Sequence, residues 1–137
     1  MSRCVFGGGL GPMMLLAAAA AVACGCSRSD GPTRYPVSGA VTHGGQPIAG
    51  GQVEFEPDGS KGNRGPAAYA TIRQGKFATD KGEGTVGGPH VVRILATDGK
   101  ANPESPDGNM VFSPFETTAD LPKSAVVQDF DVPASHR

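Results

Sequence analysis

The chain has 137 residues and a formal charge of −1, from 12 Lys and Arg against 13 Asp and Glu. That length suits one domain, and interspersed charge without a basic stripe argues against nucleic acid as a partner. Glycine (21) and proline (12) are abundant and tryptophan is absent, a composition near the disordered regime. Against disorder, the apolar residues come in short alternating groups with glycine and proline between them, which predicts a many-turned sheet protein.

Residues 1–23 read as an address. Arg3 supplies a short positive region, and residues 12–23 (PMMLLAAAAAVA) are an uncharged apolar run of 12. That run is too short for a relaxed bilayer span and suits a signal peptide. A buried core helix is the competing reading; the N-terminal position, the Ala and Leu content and the small residues at the end favour the signal peptide. The run ends in AVAC followed by GCS, with Ala21 and Ala23 before Cys24. This resembles the lipobox of bacterial lipoproteins, with Ala21 where that family usually has leucine. The resemblance implies cleavage before Cys24 and acylation of its side chain, with Cys26 as the alternative. One acyl chain holds a protein to a membrane only marginally, whereas several hold it stably.

The three cysteines, Cys4, Cys24 and Cys26, all lie at or before this tether. The domain is therefore expected to lack a disulfide framework. A lone CxC without further cysteines or nearby histidines is a weak metal signal, so lipid attachment is the preferred reading. Cleavage at Cys24 leaves 114 residues and removes Arg3 but no acid, taking the formal charge to −2.

Residues 24–34 form the lipidated tether, of which 27–34 (SRSDGPTR) is a polar, flexible spacer. Residues 35–42 predict the first strand, with Val37, Gly39 and Val41 on one face and Ser38, Ala40 and Thr42 on the other. His43, Gly44, Gly45 and Gln46 make a turn, and Ile48 is expected to tuck beneath the connection that follows. Residues 52–57 predict the second strand, Val53 and Phe55 inward and Gln52, Glu54 and Glu56 outward. Residues 58–66 (DGSKGNRGP) read as a solvated turn; they lack the acid a calcium loop needs at its twelfth position, where Tyr69 stands. Residues 67–73 and 76–80 predict a hairpin around Gln74 and Gly75, closed by a short bulged turn with Ile72 and Phe77 buried beside it. Residues 81–89 are a glycine-rich loop leading into a strand, so a phosphate cradle, which needs a following helix, is discounted.

Residues 90–97 (HVVRILAT) predict the strongest strand, with His90, Val92, Ile94 and Ala96 sharing a face. Residues 98–114 carry three prolines and no regular pattern, and a structureless loop of that length is usually functional or disordered. Met110, Val111, Phe112 and Phe115 are expected to plug one end of the core, with an exposed contact site as the alternative. Residues 115–121 predict a short edge strand. Residues 125–132 predict the last strand, with Val126, Phe130 and Val132 inward, and 134–137 a tail. The fold class expected is all-β: an antiparallel β-sandwich of about seven strands, transthyretin-like or Ig-like, preceded by a signal peptide.

The order YPVSGAVTHGGQPIAGGQVEFEP, an AxATxxxGKF hairpin, GPHVVRI and a terminal DFDVP resembles the carboxypeptidase-regulatory-like (transthyretin-like) domain of small bacterial lipoproteins. The resemblance covers residues 35–133, and its motif is structural, so it speaks to fold more than to function. It implies a domain that is not an enzyme, anchored in the bacterial envelope and facing periplasm or exterior. Its sandwich is expected to act as a structural module or as an interaction module for an envelope protein or glycan, with the membrane as partner through the lipid anchor. No cofactor, no metal and no catalytic residue is expected. A related sandwich hydrolyses 5-hydroxyisourate with a Tyr-Arg-Gly-Ser end, but this chain ends Ala134-Ser135-His136-Arg137.

The remaining chemistry is sparse. His43, His90 and His136 share no short metal-ligand spacing, and there is no GxSxG elbow. Glu54 with Glu56, and Asp129 with Asp131, alternate onto strand faces and read as solvated pairs. The alternative function is a small hydrolase with a site assembled from loop histidine, arginine and acid. Any activity is expected in the loops at 58–66, 81–89 and 98–114.

Overall fold

The computed structural model describes residues 31–137. The expected signal peptide, residues 1–23, and both lipidation candidates, Cys24 and Cys26, lie outside the described residues. The strands are β1 (Val37–His43), β2 (Gln46–Pro47), β3 (Gly50–Pro57), β4 (Ala68–Arg73) and β5 (Lys76–Thr79). They continue with β6 (Gly88–Thr97), β7 (Phe115–Leu121), β8 (Val126–Val127) and β9 (Phe130–Val132), and a 3-10 turn spans Gly59–Lys61. Among the described residues no helix is long and apolar enough to cross a membrane.

The strands run in the order β2-β1-β5-β4-β3-β6-β7, every neighbour antiparallel, in a sheet that curls over its own core as a sandwich. The two-residue period explains the inward set. Val53 and Phe55 of β3, Ala70 and Ile72 of β4, Phe77 of β5, and Val92, Ile94 and Ala96 of β6 are all buried. Phe55, Phe77 and Phe130 meet with ring centroids 6.0–6.1 Å apart, tying β9 across to β3 and β5. Among the described residues the buried cluster runs from Val37 to Val132, and residues 31–137 form a compact unit around it.

The hairpin between β4 and β5 differs from expectation. Arg73 pairs directly with Lys76, and both loop residues are left-handed, Gln74 at φ 49° and Gly75 at φ 76°. This is a two-residue turn without a bulge, the kind whose twist matches that of its strands. The β1–β2 turn at Gly44 and Gly45 has the same form, and it adds the short strand β2 that sequence pattern did not mark.

The last strand departs further. It is broken into β8 and β9, and both pair parallel with the free edge of β1. Between them the chain crosses Gly39 so closely that a Cβ there would stand 2.1 Å from the Gln128 carbonyl oxygen. The Gln128 amide donates to the Ser38 carbonyl at 2.7 Å. Asp129 Oδ1 then accepts from the Ala40 amide at 2.8 Å, a side chain standing in for a ladder carbonyl. β7 is an edge strand, as its sequence predicted.

Residues 98–114 are ordered by their own polar side chains. Asp98 Oδ1 accepts from the Lys100 amide at 3.0 Å and the Asn109 amide at 3.1 Å. Asn102 and Ser105 exchange backbone hydrogen bonds, and the Val111 amide donates to Ala96. The apolar group divides. Phe112 plugs the core at 4% exposure and Phe115 packs against it, whereas Met110 and Val111 are about half exposed.

Candidate functional site

Strand register sets three rows of side chains on the outward face of the sheet, each about 7 Å from the next. In the middle row stand Leu95, Gln52, Thr71, Ala78 and Ser38, from β6, β3, β4, β5 and β1. Toward the turn end stand Arg73 and Lys76, paired across β4 and β5. On the other side run Tyr69, Glu54, Arg93 and Glu116, in register across β4, β3, β6 and β7. Small and medium residues in the centre and long ones on both flanks leave a groove. One section, about 530 Å³, is lined by Gln52, Tyr69, Thr71, Arg73, Lys76 and Asp80, among others.

The loop 98–114 forms the end wall. Gln52 and Thr71 also border a second section beneath Ser105, Asp107, Gly108 and Met110. Thr71, Arg73 and Asp107 border a third. Thr71 lies in all three sections, so the groove is continuous across the face. Thr97, buried under the loop, lines the second section, and its hydroxyl has no protein partner. Tyr69 is half exposed, which leaves an aromatic ring on one flank free to stack on a ligand.

An arginine on the flanking row and an aspartate at the base of the loop carry shifted titrations. Arg93 donates to Glu116 and Glu56, each at 3.0 Å, and lies 3.9 Å from Glu54. The hydrogen bond to Glu116, then the Glu56 carboxylate, hold its guanidinium above the ordinary arginine value despite opposing desolvation. Asp98, at the base of the loop, is held below the ordinary carboxylate value, first by the Lys100 amide and also by the Asn109 amide. Asp58 is lowered likewise, first by the Ser60 hydroxyl, at the cap of the 3-10 turn.

The sequence-marked acids and histidines have structural partners. Glu54 and Glu56 pair with Arg93. Asp131 accepts from the Thr42 hydroxyl and the Gly45 amide, as Asp129 does from Ala40. His43 and His136 meet at the loop end, His43 Nε2 donating to the His136 carbonyl at 3.1 Å. Their rings pack on Phe112, at centroid distances of 4.6 and 5.5 Å. His136 Nε2 donates to the Ser113 carbonyl at 2.8 Å, so it carries its proton and cannot accept one from the nearby Ser113 hydroxyl. His90 is fully buried; Nδ1 donates to the Gly88 carbonyl at 2.8 Å, and Nε2 is left without a partner. Among the described residues no group of three or more His, Cys, Asp or Glu could hold a metal ion.

Sequence reasoning pointed to the loops at 58–66, 81–89 and 98–114, of which 98–114 borders the groove; it did not single out the sheet face. The outward tyrosine in the alternating AYATIR was the visible signal; the register that sets Arg73 beside Lys76 was not. No family model, no curated protein and no solved structure matches this chain.

Proposed function

We propose that the chain is a non-catalytic bacterial envelope lipoprotein, anchored through Cys24, whose sandwich binds an envelope glycan in the groove on the β3–β4–β5 face. The observation that carries the reading is the groove itself. Its volume falls within the roughly 300–1,000 Å³ typical of small-ligand sites. It offers an exposed aromatic ring beside Gln52, Thr71, Arg73, Lys76 and Asp80, a mixture of stacking surface and hydrogen-bonding groups that suits a sugar. A rigid sheet bordered by an ordered loop is a common way of presenting a binding site.

The non-catalytic reading is supported by the donor role of His136 Nε2, which leaves it unable to take a proton from Ser113. Membership of the carboxypeptidase-regulatory-like group rests on the sequence motif and agrees with an all-β sandwich. Mass spectrometry of the mature chain from native membranes tests the anchor: an acylated Cys24 supports it and an unmodified chain sinks it. Titration of the domain 31–137 with cell-wall oligosaccharides, followed by amide chemical shifts, tests the groove. Shifts centred on Gln52, Tyr69 and Thr71, and lost in Tyr69→Ala, support the glycan reading. Saturating oligosaccharide that leaves those amides unmoved refutes it.

A further inference from the structure

The end of the sandwich opposite loop 98–114 holds a second site. The chain comes into the domain there through Pro32 and Thr33, which form one wall of a cleft of about 330 Å³. Arg64 and Lys123 line the same cleft, with Asn63 and Tyr35, and none of its lining residues is acidic. Neither cation makes an ion pair among the described residues, whereas the neighbouring Arg34 and Lys61 are paired with Glu83 and Asp58.

Both cations sit on a fixed frame. Asn63 Nδ2 donates to the carbonyls of Gly87 at 2.9 Å and Pro89 at 2.7 Å, which clamps the loop on one side of Arg64. On the other side Gly65 packs on Val86, where a Cβ would stand 2.9 Å from a Val86 methyl. The Lys123 stem lies over Gly87, whose φ is +76° and whose added Cβ would stand 2.7 Å from Lys123 Cγ. Lys123 is thus held against the Gly87 backbone, and Arg64 stands between two residues, Asn63 and Gly65, that are fixed on the same loop. The Tyr35 amide and carbonyl pair with Thr85, at 2.7 and 2.9 Å, and fix the incoming chain beside them.

We propose that this cleft seats the phosphate headgroups of an anionic membrane, so that the domain docks flat-end-down on the surface to which its tether leads. The choice of headgroup as occupant rests on the lipid-anchored reading. Seven peptide links from Cys24 to Gly31 reach at most about 25 Å, so an anchor at Cys24 keeps this end close to the surface. The incoming chain is a wall of the cleft, so the tether emerges beside the two cations. A basic patch beside an acyl anchor is a second membrane signal that strengthens the first. Each cation near an anionic surface contributes about a fivefold gain in binding.

The test uses residues 31–137, which form one compact unit, sedimented at low salt with vesicles of phosphatidylcholine with or without phosphatidylglycerol. Binding is expected only with phosphatidylglycerol, and the double reversal Arg64→Glu/Lys123→Glu should weaken it about 25-fold or more. Arg73→Glu/Lys76→Glu, the same charge change on the groove, should weaken it less than about twofold; both pairs are exposed, and melting curves confirm the fold. Equal losses in the two variants, or no binding to either vesicle, overturn the proposal. So does titration with inorganic phosphate that shifts the Arg64 and Lys123 amides when vesicles do not bind. Acylation is read separately on the native chain. An acylated Cys24 without vesicle binding overturns the cleft alone, and vesicle binding by a chain that proves unacylated in the cell overturns the anchor alone.

Discussion

Phe112→Ala isolates what holds the long loop to the sandwich. Phe112 is 4% exposed, at the end of a loop whose neighbours Met110 and Val111 stand half in solvent. Truncating a buried phenylalanine costs about 3–5 kcal/mol, from lost transfer energy and the cavity left behind. Its ring also packs 4.6 Å from His43 and 5.5 Å from His136, contacts worth about 0.5–1.5 kcal/mol each where aromatic geometry is favourable. The upper half of the range is therefore expected. With a urea m-value of about 1.5 kcal/mol per molar, the unfolding midpoint should fall by about 3 M. Met110→Ala and Val111→Ala, at exposed positions, should stay within about 0.5 kcal/mol of the parent. Hydrogen exchange then reads the loop directly. The amides of Asp98 and Val111, which bond Asn109 and Ala96, should lose protection in Phe112→Ala beyond the global loss. A cost below about 1 kcal/mol, with those amides still protected, would refute the view that Phe112 pins the loop.

The acid limb of stability should carry Asp58 and Asp98. Both have folded values below the unfolded 3.8, so their stabilisation is whole above that pH and disappears as pH falls through the lower folded values. Asp58→Asn/Asp98→Asn should flatten the melting temperature against pH in that acid window, measured by circular dichroism; an unchanged slope would rule the two carboxylates out. Gly39→Val should cost about 3 kcal/mol or more by denaturant unfolding, because its side chain meets the Gln128 backbone rather than a movable side chain. Tolerance of valine there would mean that β8 and β9 do not lie on β1 as described.

The sequence by itself determined the class and the inward set. Period-two alternation put Val53 and Phe55 inside and set Val92 and Ile94 on one shared face, because any strand with one buried face must alternate. Turn chemistry separated the strands, since left-handed positions favour glycine whatever the rest of the fold does. The edge position of β7 was legible too. Tertiary structure alone decided the rest, for reasons of long-range geometry. Parallel pairing of β8 and β9 depends on a backbone approach at Gly39 by residues about ninety positions away. The meeting of His43 with His136 depends on the tail returning over Phe112. The choice of Phe112 over Met110 and Val111 as the plug depends on which side of an aperiodic loop faces the core. Both candidate sites follow the same rule. The groove exists because register brings Arg73, Lys76 and Tyr69 from two strands to one face. The basic cleft exists because residues 63–65, Lys123 and the incoming chain all close on residues 84–87. Local propensity carries no information about such meetings, since each is fixed by pairing between segments far apart in the chain.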